Sequence, residues 1–145
     1  MRRTGAARAR ALTLGLAGSI TKVVPREWTI AHYNPKLPAV FSTPAMIGLM
    51  ELAAARAVQP CLPHGSITVG TRIEVDHLKA IPAGARVRAS ARLAKIDGRF
   101  LVFDVEARSG REMIGRGRVF RAIVSPDQFA AKAARRARAS GRSRR

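Results

Sequence analysis

The sequence predicts an α+β domain in which one antiparallel sheet of about five strands wraps a single long helix, with a short second helix near the C-terminus. Three observations lead there. Phe41–Val58, FSTPAMIGLMELAAARAV, is apolar or small on every side, and after Pro44 only Glu51 and Arg56 carry charge; a helix of that kind is enclosed by other elements. Four runs that alternate apolar and polar residues follow it, separated by turn signals. A further strand-like run, Ser19–Val24, precedes it and ends at Pro25. A sheet with one apolar face and an apolar helix bury each other.

The length of 145 residues suits one domain with its own core. The single cysteine, Cys61, excludes an internal disulfide framework and a cysteine-based zinc cluster. The formal net charge is +18, and much of the excess lies at the ends, in Arg2, Arg3, Arg8 and Arg10 and in the arginine-rich run after Lys132. The expected division is a basic N-terminal tail over 1–14, a folded domain over 15–131 and a basic, disordered tail over 132–145. Such ends attract polyanions, nucleic acid included, weakly and without sequence preference. Met1–Arg10 followed by Ala11–Ala17 has some character of a targeting peptide. The apolar part is short, is broken by Thr13 and Gly15, and runs straight into a strand, so it reads as part of the working chain. No stretch is long and apolar enough for a membrane-spanning helix, and a cytoplasmic location is expected.

Taken in order, Ser19–Val24 is the first strand. Arg26–Val40, with Trp28, Tyr33, Pro35 and Pro38, has no clean period and reads as a loop or lid with a short helical turn. The central helix starts at Pro44, a residue suited to the first helical position, with Thr43 as the expected N-cap. Pro60 and Pro63 stop it. In Ile67–His77 the odd positions form the apolar face, which His77 closes at its far end. Ala85–Leu93 places Val87, Ala89, Ala91 and Leu93 on one face and arginines on the other. Asp97-Gly98 marks a hairpin into Leu101–Ala107, and Ser109-Gly110 marks another into Glu112–Val124. Gly115 and Gly117 in that last strand suggest a bulge or a close backbone approach. Ser125-Pro126-Asp127 opens the short C-terminal helix, with Phe129 packing back.

Glu51 is the anomaly of the central helix. A carboxylate among apolar residues finds a partner, such as an arginine, or is kept for chemistry. His77 on an apolar strand face is the second polar residue out of place, and the Thr43 hydroxyl at a helix N-terminus sits in a positive field. Eight residues of helix put Thr43 and Glu51 about 12 Å apart along the axis and about 80° apart in rotation. They do not meet on one reacting atom within a chain, whereas a two-fold pair of chains can bring one to the other. His32 and His64 lie apart in loop-like stretches without ligand spacing, so no metal is expected. Neither a phosphate-binding glycine loop nor a serine nucleophile elbow is present.

The stretches PAVFSTPAMIGLMELAAARAVQP, SITVGTRIEVDHLKAIPAGARV and IGRGRVFRAIV, with the Asp97-Gly98 hairpin between them, resemble the hot-dog fold and, more narrowly, its fluoroacetyl-coenzyme A thioesterase subgroup. The resemblance covers roughly residues 15–132. It implies a homodimer, or a larger assembly of dimers, that hydrolyses an acyl-coenzyme A thioester of a short acid. The site would lie at the dimer interface, with Thr43, Glu51 and His77 catalytic. It further implies that Gly70 lies near the thioester and Arg121 near the site. Coenzyme A is then part of the substrate, and no other cofactor is implied. Where the fluoroacetyl-selective member has lid phenylalanines this chain has Asn34 and Leu37, with Tyr33 and Phe41 close by. That departure predicts hydrolysis without strong fluoroacetyl selectivity, with Leu37 and Phe41 at the acyl group. The other reading is a hot-dog module that binds acyl-coenzyme A without cleaving it, as a sensor or carrier.

Overall fold

The computed structural model describes residues 10–142. The basic run Met1–Ala9 and residues 143–145 lie outside the described residues, and so do the expectations attached to them. Strand β1 (Ala17–Val23) leads through two 3-10 turns, Arg26–Trp28 and Ile30–His32, to helix α1 (Thr43–Val58). Strands β2 (Ile67–His77), β3 (Arg86–Asp97), β4 (Phe100–Ser109) and β5 (Glu112–Val124) follow, and then helix α2 (Pro126–Arg142). All neighbouring strands pair antiparallel in the order β1-β3-β4-β5-β2, so β1 and β2 are the edges. The expected sheet-around-helix architecture is what forms. Among the described residues no helix is long and apolar enough to cross a membrane.

The core lies between α1 and the concave face of the sheet. Met46, Leu49, Met50, Ala53, Ala54, Ala57 and Val58 of α1 pack on Val87, Ala89, Leu93, Leu101, Phe103 and Val119. Small residues let the helix approach closely: a Cβ on Gly18 of β1 would overlap the backbone of Ala53 and Ala57. The enclosure of α1 is incomplete, however. Leu52 is 52% exposed, and a Cβ on Gly48 would meet open space. One strip of the apolar helix is therefore left uncovered by its own sheet.

Three local expectations are corrected. The N-cap of α1 is Ser42, not Thr43: the Ser42 hydroxyl accepts from the Ala45 N–H, and Thr43 is already the first helical residue. The odd residues of β2 do not all face the helix. The β2–β5 register shifts between Gly70 and Arg72, leaving Thr71 as the extra residue of a bulge. A bulge exchanges the faces of the strand, so Thr68 and Gly70 face α1 before it, and Val75 and His77 after it, while Ile67 is exposed. Finally, the segment from Lys132 is not disordered: α2 continues through it to Arg142. Its alanines and arginines are strong helix formers, and a composition rule that counts charge overlooks that propensity.

Gly115 and Gly117 mark close approach. A Cβ on Gly115 would overlap the Met46 side chain, and one on Gly117 would overlap the Glu74 carbonyl and Val75 Cα. The β4–β5 register also shifts, leaving Ile114 unpaired with β4. The Ile114 carbonyl instead accepts from the Leu78 N–H at 2.7 Å, just beyond His77. That bond ties down the end of β2 from which His77 projects.

Candidate active site

The site is built in two halves. The first is where the N-terminus of α1 meets the C-terminal end of β2. Because Ser42 caps the helix, the Thr43 hydroxyl is free of that duty. It lies 2.8 Å from His77 Nδ1, a hydrogen bond between a helix residue and a strand residue distant in sequence. Phe41 is buried beneath them, its ring 6.5 Å from the imidazole, edge to face. His77 Nε2 is enclosed and has no hydrogen-bond partner among the described residues. The one hydrogen bond of the imidazole is thus on its Nδ1 side, to Thr43. A cavity of about 300 Å³ lies in front of the pair, with Ile30, Val40 and Leu78 among its walls.

The second half lies two turns further along α1. The Glu51 carboxylate accepts a hydrogen bond from Arg121 Nη1 at 3.1 Å and keeps a third of its side-chain surface open. Arg121 is 8% exposed and is held by Thr68: Nε donates to Thr68 Oγ1 and Nη2 to the Thr68 carbonyl, each at 2.9 Å. Burial pushes the guanidinium below the usual arginine value, and the Glu51 carboxylate pulls it back up. Three acceptors surround the cation, as a buried charge requires. Gly70 leaves room for the carboxylate, since a Cβ there would overlap Glu51 Oε1.

The structure thus brings Thr43 to His77, and Glu51 to Gly70 and Arg121, as two separate clusters. Glu51 faces Arg121 and not His77 within one chain. Arg121 points inward and is buried, so it is no ordinary surface charge. Leu37 is 42% exposed on the loop before α1 and lines neither cavity beside that helix. Thr68 escaped sequence reasoning. Its only sign was a polar residue two positions before Gly70, and the bulge that turns it inward has no signature in the alternation. Among the described residues no group of three or more His, Cys, Asp or Glu side chains converges as a metal site.

A five-stranded antiparallel sheet of this order around a central helix defines a hot-dog protein, here with a hydroxyl–imidazole pair at the N-terminus of that helix. Comparison with known proteins narrows this. The model of the FlK family, fluoroacetyl-CoA-specific thioesterase, matches residues 24–127. The fluoroacetyl-CoA thioesterase of Streptantibioticus cattleyicolor is 40% identical over 116 residues, 76% of this chain and 84% of that protein. A solved structure of the fluoroacetyl-CoA thioesterase FlK superposes with a TM-score of 0.81 at 36% identity, covering 87% of this chain and 98% of that one. A thioesterase-superfamily protein of Thermus thermophilus superposes equally well, with a TM-score of 0.81 at 30% identity over 92% of this chain and 98% of that one. The chain belongs to the FlK family of fluoroacetyl-CoA-specific thioesterases, and as such it is a thioester hydrolase.

Proposed function

We propose that the protein is a cytoplasmic homodimer that hydrolyses short-chain acyl-CoA thioesters at two equivalent composite sites. In each, Thr43 and His77 of one subunit work with Glu51, Gly70 and Arg121 of the other. The observation that carries this reading is the 2.8 Å Thr43–His77 hydrogen bond, standing apart from a Glu51 that Arg121 holds. The unit of one chain has a nucleophile–base pair and a carboxylate, but helix geometry separates them. The uncovered strip at Gly48 and Leu52 lies beside Glu51 on the same helix, and a two-fold contact along it supplies what each half lacks.

His77 Nδ1 accepts the Thr43 proton as Oγ1 attacks the thioester carbonyl. The carbonyl oxygen, now negative, is stabilised by backbone N–H groups, with Gly70 and the N-terminus of α1 as the donors. The tetrahedral adduct collapses by breaking its C–S bond. His77 Nδ1–H returns the proton to the leaving CoA thiolate, which departs as the thiol. The acyl group is left on Thr43 as an ester. Water then attacks that ester while the Glu51 carboxylate takes its proton. Collapse breaks the ester C–O bond, the Glu51 carboxyl returns that proton to Thr43 Oγ1, and the free acid leaves with the Thr43 hydroxyl and the Glu51 carboxylate restored. Arg121 positions Glu51 and touches no reacting atom. This sequence calls on no metal or redox group; CoA enters only as substrate.

The small cavity at the Thr43–His77 pair, walled by Ile30, Val40 and Phe41, suits a short acid. Leu37 does not line it, and strong selection for fluorine is not expected. The test is release of free thiol across a panel of acyl-CoA thioesters, combined with light scattering at micromolar concentration. Hydrolysis of short acyl-CoA by a species of twice the 15.7 kDa chain mass is expected. A monomer that hydrolyses normally overturns the composite site. Tight acyl-CoA binding with no thiol release replaces the enzyme by a binding module.

A further inference from the structure

We propose that the groove between α2 and the outer face of the sheet is a subsite for the nucleotide end of the substrate, an adenosine carrying a 3′-phosphate and a 5′-pyrophosphate. This rests on the acyl-CoA reading above and gives that reading a place where the largest part of the substrate is held.

The groove has a volume of about 480 Å³, within the range of small-molecule sites. Its lining includes Val69, Phe100 and Phe129 as apolar walls and Arg99, Lys132 and Arg136 as cations. Phe100 and Phe129 are each 48% exposed, although aromatic rings of that size are normally covered. They belong to different elements, β4 and α2, and both open onto one groove. The Arg99 guanidinium already stands 5.0 Å from the centre of the Phe100 ring. A purine placed there stacks on an aromatic ring, and phosphates placed beside it meet three cations with no carboxylate lining the groove. Pairing α2 with a second α2 brings like charges together. The charge of the groove therefore favours a small anion with an apolar body over another copy of the chain.

The groove also lies in the right place. Val69 and Ala122, which line it, pair with each other across β2 and β5, one residue away from the Gly70–Arg121 pair that faces Glu51. Nucleotide and reacting centre are then on opposite faces of the same strands. The groove is also lined by Val124 and Ser125, where β5 ends opposite Ile67. A flexible arm leaving it passes the end of β2 and does not need to cross the sheet.

The test uses the full chain and two readouts. Adenosine 3′,5′-bisphosphate is titrated into the protein by calorimetry at about physiological salt, where exposed charges more than about 8 Å apart are largely screened. Lys132→Ala/Arg136→Ala is compared with Arg135→Ala/Arg138→Ala, which removes as much charge from residues of α2 that do not line the groove. All four residues are exposed, so neither pair of changes threatens the fold. Saturable binding at one equivalent per chain is expected. The groove variant should weaken it on the order of tenfold or more, since two charge-assisted contacts are lost, and the control variant should weaken it much less. In hydrolysis the groove variant should raise KM for acyl-CoA by a similar factor at unchanged kcat. It should leave the N-acetylcysteamine thioester of the same acid, which has no nucleotide, unaffected. Equal loss in both variants, non-saturable binding, or an unchanged KM for acyl-CoA overturns the subsite while leaving hydrolysis intact. Absence of hydrolysis of either thioester overturns the enzymatic reading instead, and the bisphosphate titration still decides the groove.

Discussion

Glu51→Gln separates a carboxylate kept for chemistry from one kept for the fold. The glutamine carbonyl can still accept from Arg121 Nη1, the bond that Glu51 Oε1 accepts at 3.1 Å. Volume and hydrogen bonding are preserved, and only the charge is removed. Arg121 then loses the anion that offsets its burial, but it keeps both bonds to Thr68. Breaking a fully buried ion pair costs about 3–5 kcal/mol. Here a third of the Glu51 side chain is solvated and an acceptor remains, so about 1–2 kcal/mol is expected. For a chain of this length that lowers Tm by about 3–8 °C. Turnover should fall by about 10²–10⁴-fold, the usual effect of removing a general acid–base group, or about 3–5 kcal/mol of barrier. His77→Ala should cost about as much, and the double variant little more, because the two act in successive steps of one turnover and the slower step sets the rate. Thiol release and thermal unfolding on the same preparations make the comparison. A folded, dimeric Glu51→Gln protein with near-normal turnover and a lowered Tm would refute the reasoning and leave Glu51 as a structural acid.

Four further outcomes follow from the same geometry. Thr43→Val should abolish measurable turnover while changing stability by less than about 1 kcal/mol. Ser42→Ala, which removes the true cap, should cost about 0.5–2 kcal/mol and leave turnover largely intact; the opposite pattern in paired melting and thiol-release assays would exchange the two roles. Gly70→Ala places a methyl group where Glu51 Oε1 now lies, so it should lower kcat by an order of magnitude or more for about 1–3 kcal/mol of stability. A variant of unchanged kcat would show that the carboxylate need not sit where it does. Fluoroacetyl-CoA should be preferred over acetyl-CoA by no more than about 200-fold, the limit for one small group in an apolar pocket. A larger ratio of kcat/KM values would mean that Phe41, Tyr33 or another residue performs the selection assigned to the missing lid aromatics.

The outcomes differ in how far the sequence could foresee them, and the reason is the range of the interactions involved. Periodicity and turn residues are local, so the enclosed helix and the hairpins at Asp97-Gly98 and Ser109-Gly110 were legible. The ends of elements were less so: Ser42 and Thr43 are equally good caps by residue type, and only the path of the chain before α1 decides between them. The bulge at Thr71 was hidden by its own surroundings. The outer face at that end of the sheet is also apolar, since it borders the groove beneath α2, so Ile67, Val69 and Thr71 continue an unbroken alternation across a strand whose faces have exchanged. With that exchange unseen, alternation alone puts Thr68 and Gly70 on the outer face. The register shift in β2 turns both toward Glu51, and the alternation of β5, in which Arg121 follows the buried Val119 by two, brings Arg121 to the same face. The partner of Glu51 was thus set by a contact between two strands and a helix that no window of sequence spans. What the helix itself did reveal was negative and correct in direction: two turns of α-helix hold Thr43 away from Glu51. The proposed two-fold pairing answers that separation, because a second copy would supply to each half what its own chain holds out of reach.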